Sequence, residues 1–101
     1  MAYERIMGLD VIDDQEYQKY REAMMPILKF FGGSFGYDFR VSEVLLTKTA
    51  NNINRVFTIA FPNQKQMDDF FSDPDYLVVK EKFFDKSVKS KTTISVHESD
   101  L

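Results

Sequence analysis

The sequence predicts an α+β fold with elements in the order β-α-β-β-α-β, and three observations carry that reading. Segments that alternate apolar and polar residues (3–12, 34–48, 55–61 and 91–98) are separated by two stretches with helical spacing, 14–31 and 64–83. Capping and breaking residues stand where those periods change: Asp13, Gly32-Gly33, Pro62-Asn63 and Asp73-Pro74. The first and third strand segments carry apolar residues on both faces, as central strands do.

In the first strand, Met7, Leu9 and Val11 lie on one face and Ile6 and Ile12 on the other. Asp13 or Asp14 then caps an amphipathic helix in which Tyr17, Tyr20, Met24, Ile27, Leu28 and Phe31 recur at helical spacing. Pro26 lacks the N–H that a helix interior uses, which predicts a kink or a loosened turn over residues 22–26. Gly32 and Gly33 end the helix, because glycine enters the left-handed conformation without a Cβ clash.

The second strand is expected to run from Ser34 to about Lys48. Phe35, Tyr37, Phe39, Val41 and Leu45 form its apolar stripe, Gly36, Asp38, Arg40 and Ser42 the opposite face, and a bulge is expected near Gly36. The polar turn sequence ANNIN (50–54) leads into RVFTIAF, giving a hairpin. There Val56 and Ala60 oppose Phe57, Ile59 and Phe61. Asn63 caps the next helix, Asp73 and Pro74 restart it, and Met67, Phe70, Phe71, Tyr76, Val79 and Phe83 supply its core face. The last strand alternates Ile94 and Val96 with Thr93, Ser95 and His97, and residues 99–101 form a frayed tail.

This order is the ferredoxin-like plan: a four-stranded antiparallel sheet with both helices on one face, here as one domain over residues 1–101. Helices cover only one face, and the apolar side chains on the other predict a homodimer in which two sheets pack into an α/β barrel. With ten Phe, five Tyr and 44% hydrophobic residues, the 101-residue chain has the composition of a packed domain. A net charge of −3 without a Lys/Arg cluster argues against nucleic acid or an anionic membrane as partner. No apolar run reaches the length of a membrane span, the start MAYERIMGLD lacks the pattern of a signal peptide, and there is no Cys, so a cytoplasmic setting is expected.

The stretches PILKFFGG, RVFTIAFP and FFSDPDYLVVKEKFF together resemble the family catalogued as domain of unknown function 1330, over roughly residues 3–97. The resemblance implies a dimeric α/β barrel related in shape to antibiotic-biosynthesis monooxygenases, and no established reaction. Many members carry a Glu immediately before the Phe-Pro and another acidic residue near the end of the second strand. Ala60 and Leu46 stand at those positions here, so no acid–base role carries over to them.

Candidate chemistry is sparse. His97 is the lone histidine and a candidate general base, although an exposed or dimer-edge histidine is the plainer reading. Asp38 and Arg40 lie about 7 Å apart on one strand face, where, with either Arg5 or Asp10, they orient a carboxylate or carbonyl ligand or else form a solvated ion pair or an intersubunit salt bridge, and in an enzyme Arg40, Asp38, Tyr37 or His97 would polarise the substrate. Tyr17, Tyr20, Phe35, Tyr37, Phe39, Phe57 and Phe61 either line a pocket for a small apolar or aromatic molecule or are plain core. The pairs Asp13-Asp14 and Asp68-Asp69 suit helix starts, and no metal, phosphate-loop or cofactor motif is present, so no metal or cofactor is expected. The functional expectation is a small-molecule-binding barrel, with a cofactor-independent monooxygenase- or isomerase-like enzyme and a protein-interaction module as alternatives.

Overall fold

In the computed structural model, which describes residues 2–100, the chain runs β1 (Ala2–Val11), α1 (Asp14–Phe30), β2 (Ser34–Arg40), β3 (Arg55–Phe61), α2 (Gln64–Ser72) and α3 (Pro74–Val79). A π-helical turn (Lys80–Phe84) and a short α4 (Asp85–Ser87) lead into β4 (Val88–Ser99). The four strands form one antiparallel sheet in the order β2-β3-β1-β4, so β1 and β3 are central, as their two apolar faces require. The helices lie on one face, where Met7, Leu9, Phe57, Ile59 and Phe61 pack against Tyr17, Tyr20, Met24, Leu28, Met67 and Phe70. No described helix is long and apolar enough to cross a membrane.

Local chemistry sets the boundaries. The Glu16 N–H donates to Asp13 Oδ1 at 3.1 Å, which fixes the start of α1 at Asp13. At its other end Gly32 has φ of 74°, and the N–H groups of Gly33 and Gly32 donate to the carbonyls of Leu28 and Lys29 at 2.8 and 3.0 Å. This pair of bonds is the Schellman arrangement, which needs a left-handed residue at that position. The chain turns there into β2. Asn63 and Asp73 cap α2 and α3 through the N–H groups of Gln66 and Tyr76.

Several expectations need correction. Strand β2 stops at Arg40, opposite the first residue of β3, and residues 41–54 form a loop instead of a continued strand. Beyond Arg40 no strand pairs with this segment among the described residues, and Leu45 and Leu46 are 88% and 92% exposed. The hairpin thus has a long connection, and Leu46 lies in it and not at a strand end. Strand β4 begins at Val88 and keeps Ser99 paired with Ala2, so only Asp100 of the expected tail is described outside the sheet.

A second correction concerns facing. Phe35 is opposite Ile59 and Asp38 opposite Phe57, which leaves Gly36 and Tyr37 together opposite Thr58. This is the bulge expected near Gly36. The Tyr37 N–H donates to Thr58 Oγ1 at 2.8 Å, and a Cβ on Gly36 would stand 2.6 Å from that oxygen. One extra residue reverses every side chain after it. Phe35 therefore faces the helices, as does Asp38, whereas Tyr37 and Phe39 stack on the open face with ring centroids 5.7 Å apart. They are 65% and 54% exposed and do not share a lining with Phe35.

The loop returns over one end of the open face. Ile53 is buried against Gly8, where a Cβ would come within 3.0 Å of it. The Asn54 N–H donates to the Leu9 carbonyl at 2.9 Å, while its side-chain amide accepts from the Val11 N–H and donates to the Val11 carbonyl, each at 2.9 Å. Asn52 and Asn54 also donate to buried Asp10 at 3.2 and 3.4 Å.

Candidate functional site

Between α1, the covered face of the sheet and the π-helical turn lies a cavity of about 180 Å³. Tyr17, Tyr20, Arg21 and Met24 of α1 form one wall because they sit three and four residues apart, on one helical face. Met7, Leu9, Phe35, Phe57 and Ile59 form the floor, since alternate residues of a strand share a face. Tyr76, Leu77, Lys80 and Phe84 close the third side, with Arg5 and Lys91 also contributing. The Asp85 N–H donates to the Lys80 carbonyl five residues back, which widens the helix at this wall.

Arg21 is the unusual member, a charged residue only 8% exposed. Its Nε–H donates to the Tyr17 hydroxyl at 2.8 Å and its Nη1 to Asp38 Oδ2 at 3.2 Å. Its Nη2 is buried with no acceptor among the described residues. The guanidinium lies over Phe35 and Phe57, 4.0 and 4.9 Å from their ring centroids, contacts that stabilise a buried cation. Asp38 also accepts from Arg55, whose Nε and Nη2 reach Oδ1 and Oδ2 at 2.8 and 2.9 Å. The Arg55 hydrogen bond, with the nearby charge of Arg21, holds the Asp38 carboxyl below the ordinary carboxylate range.

The phenols complete the polar inventory. The Tyr20 and Tyr76 hydroxyls lie 2.8 Å apart. Burial pushes the Tyr20 pKa well above its ordinary value and raises those of Tyr17 and Tyr76, so all three are protonated at neutral pH. Arg5 donates from Nε to Met67 Sδ at 3.2 Å and lies 4.3 Å over Phe71. Lys80 pairs with Asp85 at 3.0 Å.

Of the residues singled out from sequence, Tyr17, Tyr20, Phe35 and Phe57 line the cavity. Phe61 is buried beside it in the core, against Phe70 and Phe71, and does not line it. Tyr37 and Phe39 lie on the other face of the sheet, for the reason given by the bulge. Asp38 pairs with Arg21 and Arg55, not Arg40. Arg40 lies opposite Arg55 at the sheet edge and joins Asp14, Gln18 and Glu22 of α1 around a shallow groove. His97 is on the open face of β4, with Nδ1 2.8 Å from Ser95 Oγ and Nε2 2.9 Å from Glu4 Oε1. Arg5 reaches the cavity, whereas Asp10 is held by the loop asparagines. Among the described residues, no group of three or more His, Asp and Glu side chains converges as metal ligands would.

Sequence reasoning missed Arg21, Tyr76's link to Tyr20, and the π-helical turn. For Arg21 a signal existed: it falls four residues after Tyr17 and three before Met24, a charge inside the apolar stripe.

The strand order, the helices on one face and a cavity between the two layers define a ferredoxin-like α+β protein. More particularly, the chain belongs to the family described as domain of unknown function 1330, whose pattern matches residues 2–93. Its fold is similar to that of a protein of unknown function from Rhodopseudomonas palustris, with TM-score 0.76 and 16% identity over 92% of this chain and 78% of that one. A dimeric protein of unknown function with a ferredoxin-like fold from Bacteroides fragilis has TM-score 0.62 and 13% identity over 97% and 96% of the two chains. A candidate antibiotic biosynthesis monooxygenase from Nitrosomonas europaea has TM-score 0.59 and 14% identity over 98% and 90%. At such identities the likeness is one of fold alone. No curated protein matches the chain.

Proposed function

We propose that residues 2–99 act as one ferredoxin-like unit that binds a single small, largely apolar or aromatic molecule in the cavity between helices and sheet. The observation that carries this reading is the cavity itself, about 180 Å³ in volume and walled by Tyr17, Tyr20, Phe35, Phe57, Tyr76 and Phe84. An apolar space of about 150 Å³ suffices for benzene, so one aromatic ring with a small substituent fits. Bound ligands are commonly held in this way, by apolar walls and a few placed polar groups.

The same reading pairs two copies through their open sheet faces. Its support is the exposed Tyr37–Phe39 stack, the half-buried Ile6 and Val56 beside it, and the dimeric relative of like fold from Bacteroides fragilis. The reading assigns no catalytic step. Of the acid–base candidates, His97 and Tyr37 stand on opposite edge strands of the open face, while Asp38 is engaged by two arginines on the covered one.

Native mass spectrometry of the freshly purified protein tests both parts, together with a thermal-shift panel of single-ring aromatic compounds. A ligand at 100 times its Kd adds about 2.7 kcal/mol and raises Tm by several degrees. A panel with no shift and a spectrum without retained small molecule would sink the pocket reading. A monomeric mass at micromolar concentration would sink the pairing.

A further inference from the structure

Resting on that pocket reading, we infer that the ligand is an anion, a single-ring aromatic carboxylate, whose head group takes the free Nη2 of Arg21. Three independent observations converge on this chemistry. The first is the orphaned donor: the Arg21 Nη2 is buried in the wall of the cavity without an acceptor among the described residues. A buried charged donor left unpaired is unfavourable, so a carboxylate oxygen delivered there gains more than it would on the surface.

The second is the balance of donors and acceptors. The Tyr17 hydroxyl accepts from Arg21 Nε, which leaves its own proton for another acceptor. Tyr20 and Tyr76 share one hydrogen bond between two hydroxyls, so one of their protons is also left over. The carboxylate in the neighbourhood, Asp38, is already engaged by three N–H groups of Arg21 and Arg55. The hydroxyl protons and the Nη2 hydrogens left over in the cavity wall call for an acceptor, and a carboxylate is acceptor-only.

The third is charge. Arg5, Arg21 and Lys91 stand in the cavity lining and no carboxylate does, the Asp38 shared by Arg21 and Arg55 lying outside it. The volume of about 180 Å³ limits the body of the ligand to about one ring. Phe35 and Phe57 already hold the guanidinium plane, which fixes the position of the Nη2 that the carboxylate takes.

Benzoate, phenylacetate, benzamide, benzyl alcohol and toluene, titrated calorimetrically into the wild-type protein at pH 7, separate head from body. The expected result is that a carboxylate binds roughly tenfold or more tightly than its uncharged counterpart, since a charge-assisted hydrogen bond is at stake. Arg21→Gln should erase that preference, so that a carboxylate and its uncharged counterpart bind the variant within about twofold of each other. Tyr17→Phe, which keeps the ring, should narrow the preference for carboxylates over their uncharged counterparts. If the uncharged compounds bind as tightly as the carboxylates in the wild type, the anion inference is overturned and the pocket reading survives. If none of the five binds, both fall. The wild-type comparison decides the matter even where Arg21→Gln does not fold.

Discussion

On the covered face of the sheet, α1, β1 and β3 bring Arg5, Arg21 and Arg55 in among Phe35, Phe57 and Tyr17, and β2 adds Asp38. On the open face, β2 displays Tyr37 and Phe39 to solvent. One charge, that of Arg21, is buried inside and a pair of rings is outside, the reverse of ordinary amphipathic layering at those positions. The contrast teaches that neither face is explained by stability of the lone chain. The covered face keeps its charges because aromatic rings and a shared carboxylate accommodate them around a cavity. The open face keeps its rings because, on our proposal, a second sheet covers them.

The two faces should respond differently to substitution. Phe70→Ala on the covered side removes a fully buried ring packed on Phe61, Phe71 and Tyr76, and should cost about 3–5 kcal/mol in urea denaturation. A loss below about 1 kcal/mol would mean that this side is not close-packed. Gly36→Ala, at the bulge that divides the faces, should cost about 1–3 kcal/mol through the clash with Thr58 Oγ1. Adding Thr58→Ala should recover part of that loss, and a double variant no better than the single would remove the clash from the account.

Asp38→Asn should cost about 1 kcal/mol at pH 7, discounted for the one third of the side chain that is exposed. The folded pKa is lowered, so the unfolded chain takes up the proton first as pH falls. The stability due to Asp38 is therefore fully present above about pH 4 and is lost as pH falls through the folded value. Wild type and variant should converge on acidification; curves that stay parallel down to pH 2 would rule out this ion pair as the source. The smallest effect on chain stability, within about 0.5 kcal/mol for the isolated chain, is expected for Tyr37→Ser combined with Phe39→Ser. In light scattering that variant should halve the mass of the proposed dimer. A dimer that persists would assign the pairing to another surface.

The elements with a local chemical signature were legible in the sequence. Asp13, Gly32, Asn63 and Asp73 act as caps where their types predict, and the doubly apolar β1 and β3 are central. The strand β2 was only half legible. Phe35, Tyr37 and Phe39 keep a period of two along the chain, and nothing in that period announces that Gly36 and Tyr37 share one partner in β3. The bulge was expectable from Gly36, but its effect on the facing depends on where pairing resumes. The candidate site was legible in its aromatic walls. Its polar centre was not, because Arg21 meets Asp38 and Tyr17 only once β2 is bulged and α1 docked.

The π-helical turn at Lys80–Phe84 contains one residue more than an α-helical path along the same wall needs. That surplus makes the wall adjustable by length as well as by composition. Removing one residue between Lys80 and Phe84 would let α3 continue as a regular helix into Asp85, with β4 still anchored by its long pairing to β1. The same deletion would rotate Phe84 away from Tyr20, whose ring centroid is now 5.0 Å distant, and so reshape the cavity while leaving the sheet alone. A single codon lost there would thus change the shape of the cavity without rebuilding the sheet that floors it.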